Sequence, residues 1–374
     1  DDVTQYRYFS RLIPSDGGTA RATVEYFRTR RPDLRHMGVL YVNDAYGSAF
    51  HQAIQESALG IDPPDERILV KGSPFSYNKA ILNRDEIDLA VKTLADTGYR
   101  AFFGVFYDEH YPLIMESAVK FGIAGPGYVW IISDGLSATY LHGRSYPSGS
   151  PLAIASQGIG ILKAEGGREV PGGDAGYDKF ARAWYGQTEE MERYYNCAGH
   201  PASNSKGTPD IYFQAEPGFF GDRKLNPTAG AVFTYDTVAA MGLAACGLLK
   251  EEEEKRVEGG GESASPVPEE VLNAGLDGSS ASAEAGANRT QLSTTREYFN
   301  GEDLFKAFVR QEFEGASGDI RVDPATTSRD PSSAFFVLYN VDGTEGEDGT
   351  VTFSVDTVSH TTRSEEEEGT EETE

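Results

Sequence analysis

Val39-Leu40-Tyr41-Val42-Asn43-Asp44-Ala45-Tyr46-Gly47 decides how this chain folds. It closes an apolar run over 37–42 and passes at once into turn-forming residues. A strand that is apolar at successive positions has no side for water, as expected of a parallel strand covered on both faces. Upstream, 18–30 has helical spacing, with Ala20, Val24 and Phe27 among its apolar positions and Ser15 or Asp16 placed to cap it. Ahead of that, 6–13 reads as a short strand. Downstream, 43–47 reads as a turn, 48–59 as a helix and 68–71 as a strand. The alternation continues with a helix over 85–97, a strand over 101–106, a helix over 112–121 closed by Gly122, and a strand over 128–132. This rhythm predicts a doubly wound parallel sheet with right-handed crossovers.

The second half is less regular. Residues 153–162 read as carrying a strand, 172–185 as a helix, 196–226 as a long loop and 234–249 as a helix with tight Ala and Gly packing. Residues 251–295 form a low-complexity stretch of Glu, Gly, Ser and Ala and, like the acidic tail after 361, read as disordered. A helix over 301–313, an apolar strand over 334–341 and a partner strand over 349–355 complete the reading.

The chain has 374 residues, room for two cores, and a formal net charge of -26 from 33 basic and 59 acidic residues. So acidic a surface repels phosphate backbones, which argues against a nucleic-acid partner. No run reaches the roughly 20 apolar residues of a membrane helix, and 229–249, interrupted by Asp236, reads as a buried helix. No leader opens the sequence, and its abrupt start suggests a piece of a longer protein. Cys197 and Cys246 allow one disulfide without demanding it, and Asn288-Arg289-Thr290 is a glycosylation sequon whose use is as open as a chance match.

In an open parallel sheet, ligands bind beyond the carboxyl ends of the strands. Three such ends carry Asn43, Asp44 and Tyr46; Tyr107, Asp108 and Glu109; and Ser133 and Asp134. Together they predict one wall of phenols, carboxylates and hydroxyls. Asp134 can pair with an ammonium group, a tyrosine face adds cation–π attraction, and backbone N–H groups near Gly47 can hold a carboxylate. A structural role stands beside each. Asp44 and Asp134 occupy places where an Asx-turn or helix cap is expected, and Tyr46 can pack under its loop. Tyr107 is the strongest candidate, because it ends a strand whose other residues already fill the core.

Enzymatic signatures are poor. There is no nucleophile elbow, no phosphate-binding loop and no His-Glu-x-x-His, and the cysteines lack metal-ligand spacing. Glu109 with His110 is the one acid–base pair at a strand end, and neighbouring residues there often point apart. The expectation is a binding module with no cofactor and no catalysis.

A family resemblance rests on several stretches in order. Arg11-Leu12-Ile13-Pro14-Ser15-Asp16, then Val39 through Gly47, resembles the receptor-family ligand-binding region, of type I periplasmic-binding-protein fold. Phe103-Gly104-Val105-Phe106-Tyr107-Asp108-Glu109 and Gly127 through Gly135 resemble its GABA-B branch. Tyr235-Asp236-Thr237-Val238 and Phe313 through Asp323, before a strand ending at Asn340, also match. The resemblance implies an α/β bilobed fold of doubly wound parallel sheets with an incomplete first lobe. It implies a crossover strand at 1–13, a second lobe at 14–136, a partial first lobe at 150–315 holding the 251–295 insertion, a return at 316–355 and a tail at 360–374. It implies ligand contact by Tyr107, as in the GABA-B branch, and by Tyr46 and Asp134, as in glutamate receptors, with Ser133 beside them. Gly135 stands where the GABA-B pattern has a stacking tryptophan. The implied function is the extracellular ligand-binding region of a membrane receptor. It would close by a hinge on a small polar, amino-acid-like ligand, as part of a receptor dimer, with any membrane segment outside this chain. The alternative is a solute-binding protein of a transporter.

Overall fold

The computed structural model describes residues 6–76, 83–167, 174–186, 227–258 and 300–360. The chain forms two compact units, Asp1–Ile13 with Gly166–Asp330, and Pro14–Glu165 with Pro331–Glu374. These boundaries differ from those expected from the sequence. The segment 150–165 belongs to the unit that begins at Pro14, and the return falls at Pro331 instead of 316.

The unit that begins at Pro14 runs α1 (Asp16–Arg30), β1 (His36–Val42), α2 (Ala45–Leu59), β2 (Leu69–Phe75), α3 (Arg84–Ala95), β3 (Ala101–Val105), α4 (Tyr111–Lys120) and β4 (Val129–Ile132). Then come α5 (Ala138–Leu141), β5 (Ser145–Pro147), α6 (Pro151–Ser156) and β6 (Gly160–Glu165). After the other unit, the chain returns as β10 (Phe335–Glu345) and β11 (Thr350–His360). The strands form one eight-stranded sheet in the order β2-β1-β3-β4-β6-β10-β11-β5. From β2 to β6 the pairs are parallel, and β10, β11 and β5 add antiparallel pairs.

Alternation along the strands fills two cores. Met37 and Val39 of β1 with Ala101, Phe103 and Val105 of β3 face α1 and α2, through Val24, Phe27, Phe50 and Ile54. Leu40 and Val42 with Phe102 face α3 and α4, through Val91, Leu94, Ile114 and Met115. Both sheet faces are therefore covered, which is why the strands read as unbroken apolar runs.

The other unit holds α7 (Asp174–Tyr185), α8 (Ala229–Glu258), α9 (Gly301–Phe308), and a small antiparallel sheet of β7 (Glu312–Gly315), β8 (Gly318–Asp323) and β9 (Ser328–Arg329). Its described cores are small: Leu12, Ala240, Ala244, Phe308, Ile320 and Val322 form one, and Phe180, Val232 and Ala316 another.

Several expectations need correction. Among the described residues, 6–13 make a single bridge, Arg11 to Ser328, whose partner strand is two residues long. Helix α2 begins at Ala45, inside the expected turn, because Asp44 caps it. The stretch 153–162 divides into helix and strand, since Ser150 accepts from the Ala153 N–H and Pro151 opens α6. The last expected helix stops at Phe308, and β7 follows. The acidic run Glu251–Glu254 continues α8 to Glu258. That helix buries one stripe, Val232, Asp236, Ala240 and Ala244, and exposes Tyr235, Val238, Met241, Leu243 and Leu249. It is thus half covered among the described residues and not the buried helix expected; over Ala229–Glu252 its length and hydropathy alone would suffice to span a membrane. The loop 196–226, Cys197, the sequon at Asn288 and the tail after 361 lie outside the described residues, and Cys246 is a half-buried thiol on α8.

Candidate functional site

The carboxyl ends of β1, β3 and β4 are neighbours in the sheet, so the residues just beyond them meet. Asp44 follows β1 in extended conformation and caps α2, its Oδ1 accepting the Gly47 N–H at 2.8 Å. That N–H is therefore engaged within the protein, contrary to the expectation that it could hold a ligand carboxylate. Gly47 is required sterically. A Cβ there would lie 2.0 Å from the Val42 carbonyl oxygen, so the first turn of α2 seats directly on the end of β1.

Two tyrosines cross between these strand ends in opposite directions. Tyr46, on α2 beyond β1, donates its hydroxyl proton towards Asp134 Oδ1 at 2.8 Å and Ser133 Oγ at 3.0 Å, both beyond β4. One proton serves both acceptors, and the carboxylate is the stronger. Tyr107, beyond β3, reaches back to Asp44 Oδ2 at 3.0 Å beyond β1. The two rings stack with centroids 5.6 Å apart and planes at 25°, and Tyr46 also meets Phe50 edge-on at 5.9 Å. Burial, followed by the Asp134 charge, pushes the Tyr46 phenol well above its ordinary range, so it stays a donor.

The four residues singled out by the sequence thus stand together, with Ser133 buried, Tyr46 and Tyr107 half-buried and Asp134 exposed. Among the described residues, Asp134 bonds through Oδ1 only, and neither it nor Asp44 is paired with a lysine or arginine. Gly135 has a physical reason. A Cβ there would lie 2.4 Å from the Phe106 carbonyl oxygen and 3.3 Å from the Tyr46 hydroxyl, so any side chain would wedge the ends of β3 and β4 apart.

Beside the ledge, Asp108 accepts the Ser137 N–H at 2.7 Å, and burial raises its carboxyl above the usual range. Glu109 is exposed while His110 is fully buried, so the two point apart as neighbouring residues often do. His110 Nδ1 accepts the Tyr107 N–H at 3.3 Å, and Phe75 meets its ring edge-on at 5.2 Å. Sequence reasoning missed this support; a histidine three residues past a strand-end tyrosine was its only trace. Among the described residues, no group of acids, histidines and cysteines could hold a metal.

A second polar network lies in the other unit. Asp236, mid-helix on α8, accepts from the Ala316 N–H at 2.7 Å, the Ser317 N–H at 2.8 Å and the Ser317 hydroxyl at 2.5 Å. Arg329 donates to Ser317 Oγ at 2.6 Å and to the carbonyls of Ser317 and Asp319. Burial draws its guanidinium down to about 10, and burial likewise raises the Asp236 carboxyl. The acid inside an apolar helix was visible in the sequence; its partners were not.

A family model described as the receptor family ligand binding region matches residues 1–344. The chain belongs to that family. This accords with the mixed α/β architecture and its large, mostly parallel sheet, and gives the fold as type I periplasmic-binding-protein-like. A search of curated proteins found no match.

Proposed function

We propose that this receptor-family region is the extracellular, GABA-B-like ligand-binding part of a membrane receptor, with the Tyr46–Tyr107–Asp134 ledge in its ligand site. The ligand is a small, amino-acid-like molecule whose ammonium group sits on Asp134. One observation carries the reading: among the described residues, Asp134 is held by a neutral phenol, keeps one oxygen for a further donor, and has no cationic partner. A carboxylate oriented in this way receives an ammonium ion without first breaking an ion pair. The half-buried faces of the Tyr46 and Tyr107 stack lend cation–π attraction of about 1 kcal/mol. Ser133, buried beneath, fixes the Tyr46 hydroxyl. The response to binding is hinge closure, driven by the ligand's higher affinity for the closed state.

The site is a binder and not a catalyst. Its two tyrosines are tied to carboxylates, and its one nearby histidine is buried facing the Tyr107 backbone, away from Glu109. Thermal shift tests the reading with glycine, 4-aminobutanoate and L-glutamate, each beside its counterpart lacking the amine. Stabilisation by at least one amine, and by none of the counterparts, is expected. Equal stabilisation by an amine and its counterpart, or by neither across the panel, would overturn it.

A further inference from the structure

His110 ends the 3-10 turn Asp108–His110 that follows β3, and its ring is fully out of contact with water. Its Nδ1 accepts the Tyr107 N–H at 3.3 Å, and its ring lies 5.9 Å from the Tyr107 ring. Tyr107 in turn reaches Asp44 and stacks on Tyr46. The histidine thus stands one residue-contact behind the ledge. We propose that His110 is the positioning residue that holds Tyr107 in the ledge, and that protonation of its ring releases Tyr107 and makes the site acid-sensitive. The inference rests on the ligand-site reading only for its functional consequence.

The mechanism follows from hydrogen-bond polarity. A ring nitrogen that accepts an N–H bond carries no proton, so the neutral ring holds its proton on Nε2. Adding the second proton places it on Nδ1, aimed at the Tyr107 N–H. An attraction becomes a clash of two donors, and either the ring or the Tyr107 backbone must move. A shift of the Tyr107 backbone carries over to its phenol at Asp44 and its ring on Tyr46, which is how the ledge feels the proton.

Among the described residues, two acids act on the ring through their charge. Glu109 on its own turn and Asp44 beyond β1 both favour the protonated form, while β2 presents the apolar ring of Phe75. Burial outweighs them and holds the imidazole below its ordinary range, so the ring is neutral at neutral pH and titrates on the acid side.

A histidine that merely fills space would make the same ring contacts, and two variants separate the cases. His110→Asn keeps an acceptor oxygen at the δ position and cannot titrate. His110→Phe keeps the bulk and removes the acceptor. The readout is the carbon-13 signal of labelled tyrosines in the ligand-free protein, with Tyr107 assigned through Tyr107→Phe. In the wild type, the Tyr107 signal is expected to move in a single step as pH falls below the ordinary imidazole value of about 6.5. In His110→Asn it stays fixed, and in His110→Phe it is displaced at every pH. A Tyr107 signal that is unmoved in the wild type, or that moves identically in His110→Asn, would overturn the inference; the wild-type titration decides even if a variant fails to fold. No ligand enters this measurement, so its failure is separate from failure of the amine panel. For an amine that binds, acidification through that same step should weaken wild-type affinity about tenfold and leave His110→Asn unchanged, in keeping with one buried hydrogen-bonding group. Equal weakening in both proteins would contradict it.

Discussion

Single residues in the ledge have separable jobs. Tyr107→Phe deletes one hydrogen bond to Asp44 and leaves the ring stack, so a fall in unfolding free energy of about 1 kcal/mol or less is expected in urea titration. Gly135→Ala should do more damage despite its smaller chemical change. The new Cβ meets a backbone carbonyl at 2.4 Å, which no side-chain rotation relieves, and a loss of about 1–3 kcal/mol is expected in the same titration. A Gly135→Ala protein as stable as the wild type would mean that the ends of β3 and β4 are less closely joined than described. The residue types of the site were legible in the sequence because strand-end tyrosines and acids lie outside the apolar runs. Their wiring was not. That Tyr46 serves Asp134 while Tyr107 serves Asp44 depends on three strands lying side by side, and no local pattern encodes that order.

Among the elements, strands were easier to read than helix boundaries. β1, β3 and β4 are covered on both faces and announce themselves as unbroken apolar runs. Ala45-Tyr46-Gly47 resembles a turn by composition, yet it is helical because Asp44 caps it and Gly47 alone fits against Val42. Residues 251–258 are acidic enough to read as a solvated run, but α8 propagates through them from an apolar stretch already folded. The network around Asp236 gives an element-scale prediction. Asp236 links α8 to the β7–β8 turn and offsets the charge of Arg329, and both side chains are almost wholly buried. Asp236→Ala takes one of the two acids, with Asp319, whose charge favours the buried guanidinium and leaves the Ala316 and Ser317 N–H groups without their acceptor, and a loss of about 3–5 kcal/mol is expected in the unfolding free energy. A loss under about 1 kcal/mol would show that water reaches Arg329.

At the scale of the molecule, two histidine titrations contribute to the acid limb of stability. Burial depresses the imidazoles of His110 and His51, the latter stacked on Tyr41 with ring centroids 4.5 Å apart. A histidine whose folded value lies below its unfolded value of about 6.5 is bound by more protons when unfolded. Its contribution is complete above about pH 6.5 and is lost as pH falls through the folded value. Melting temperature should therefore drop on acidification below about pH 6.5, and the drop should shrink in His51→Gln and in His110→Asn. The attraction between the ligand's ammonium and the exposed Asp134 is screened by salt, so binding of glycine and 4-aminobutanoate should weaken as salt rises. The most direct measurement is calorimetric titration of the tightest-binding amine of the panel into wild type and into Asp134→Asn. Asparagine keeps the shape and the Tyr46 bond but removes the charge, so affinity should fall at least about tenfold while the fold is retained. An Asp134→Asn protein that binds the amine as tightly as the wild type would contradict the account.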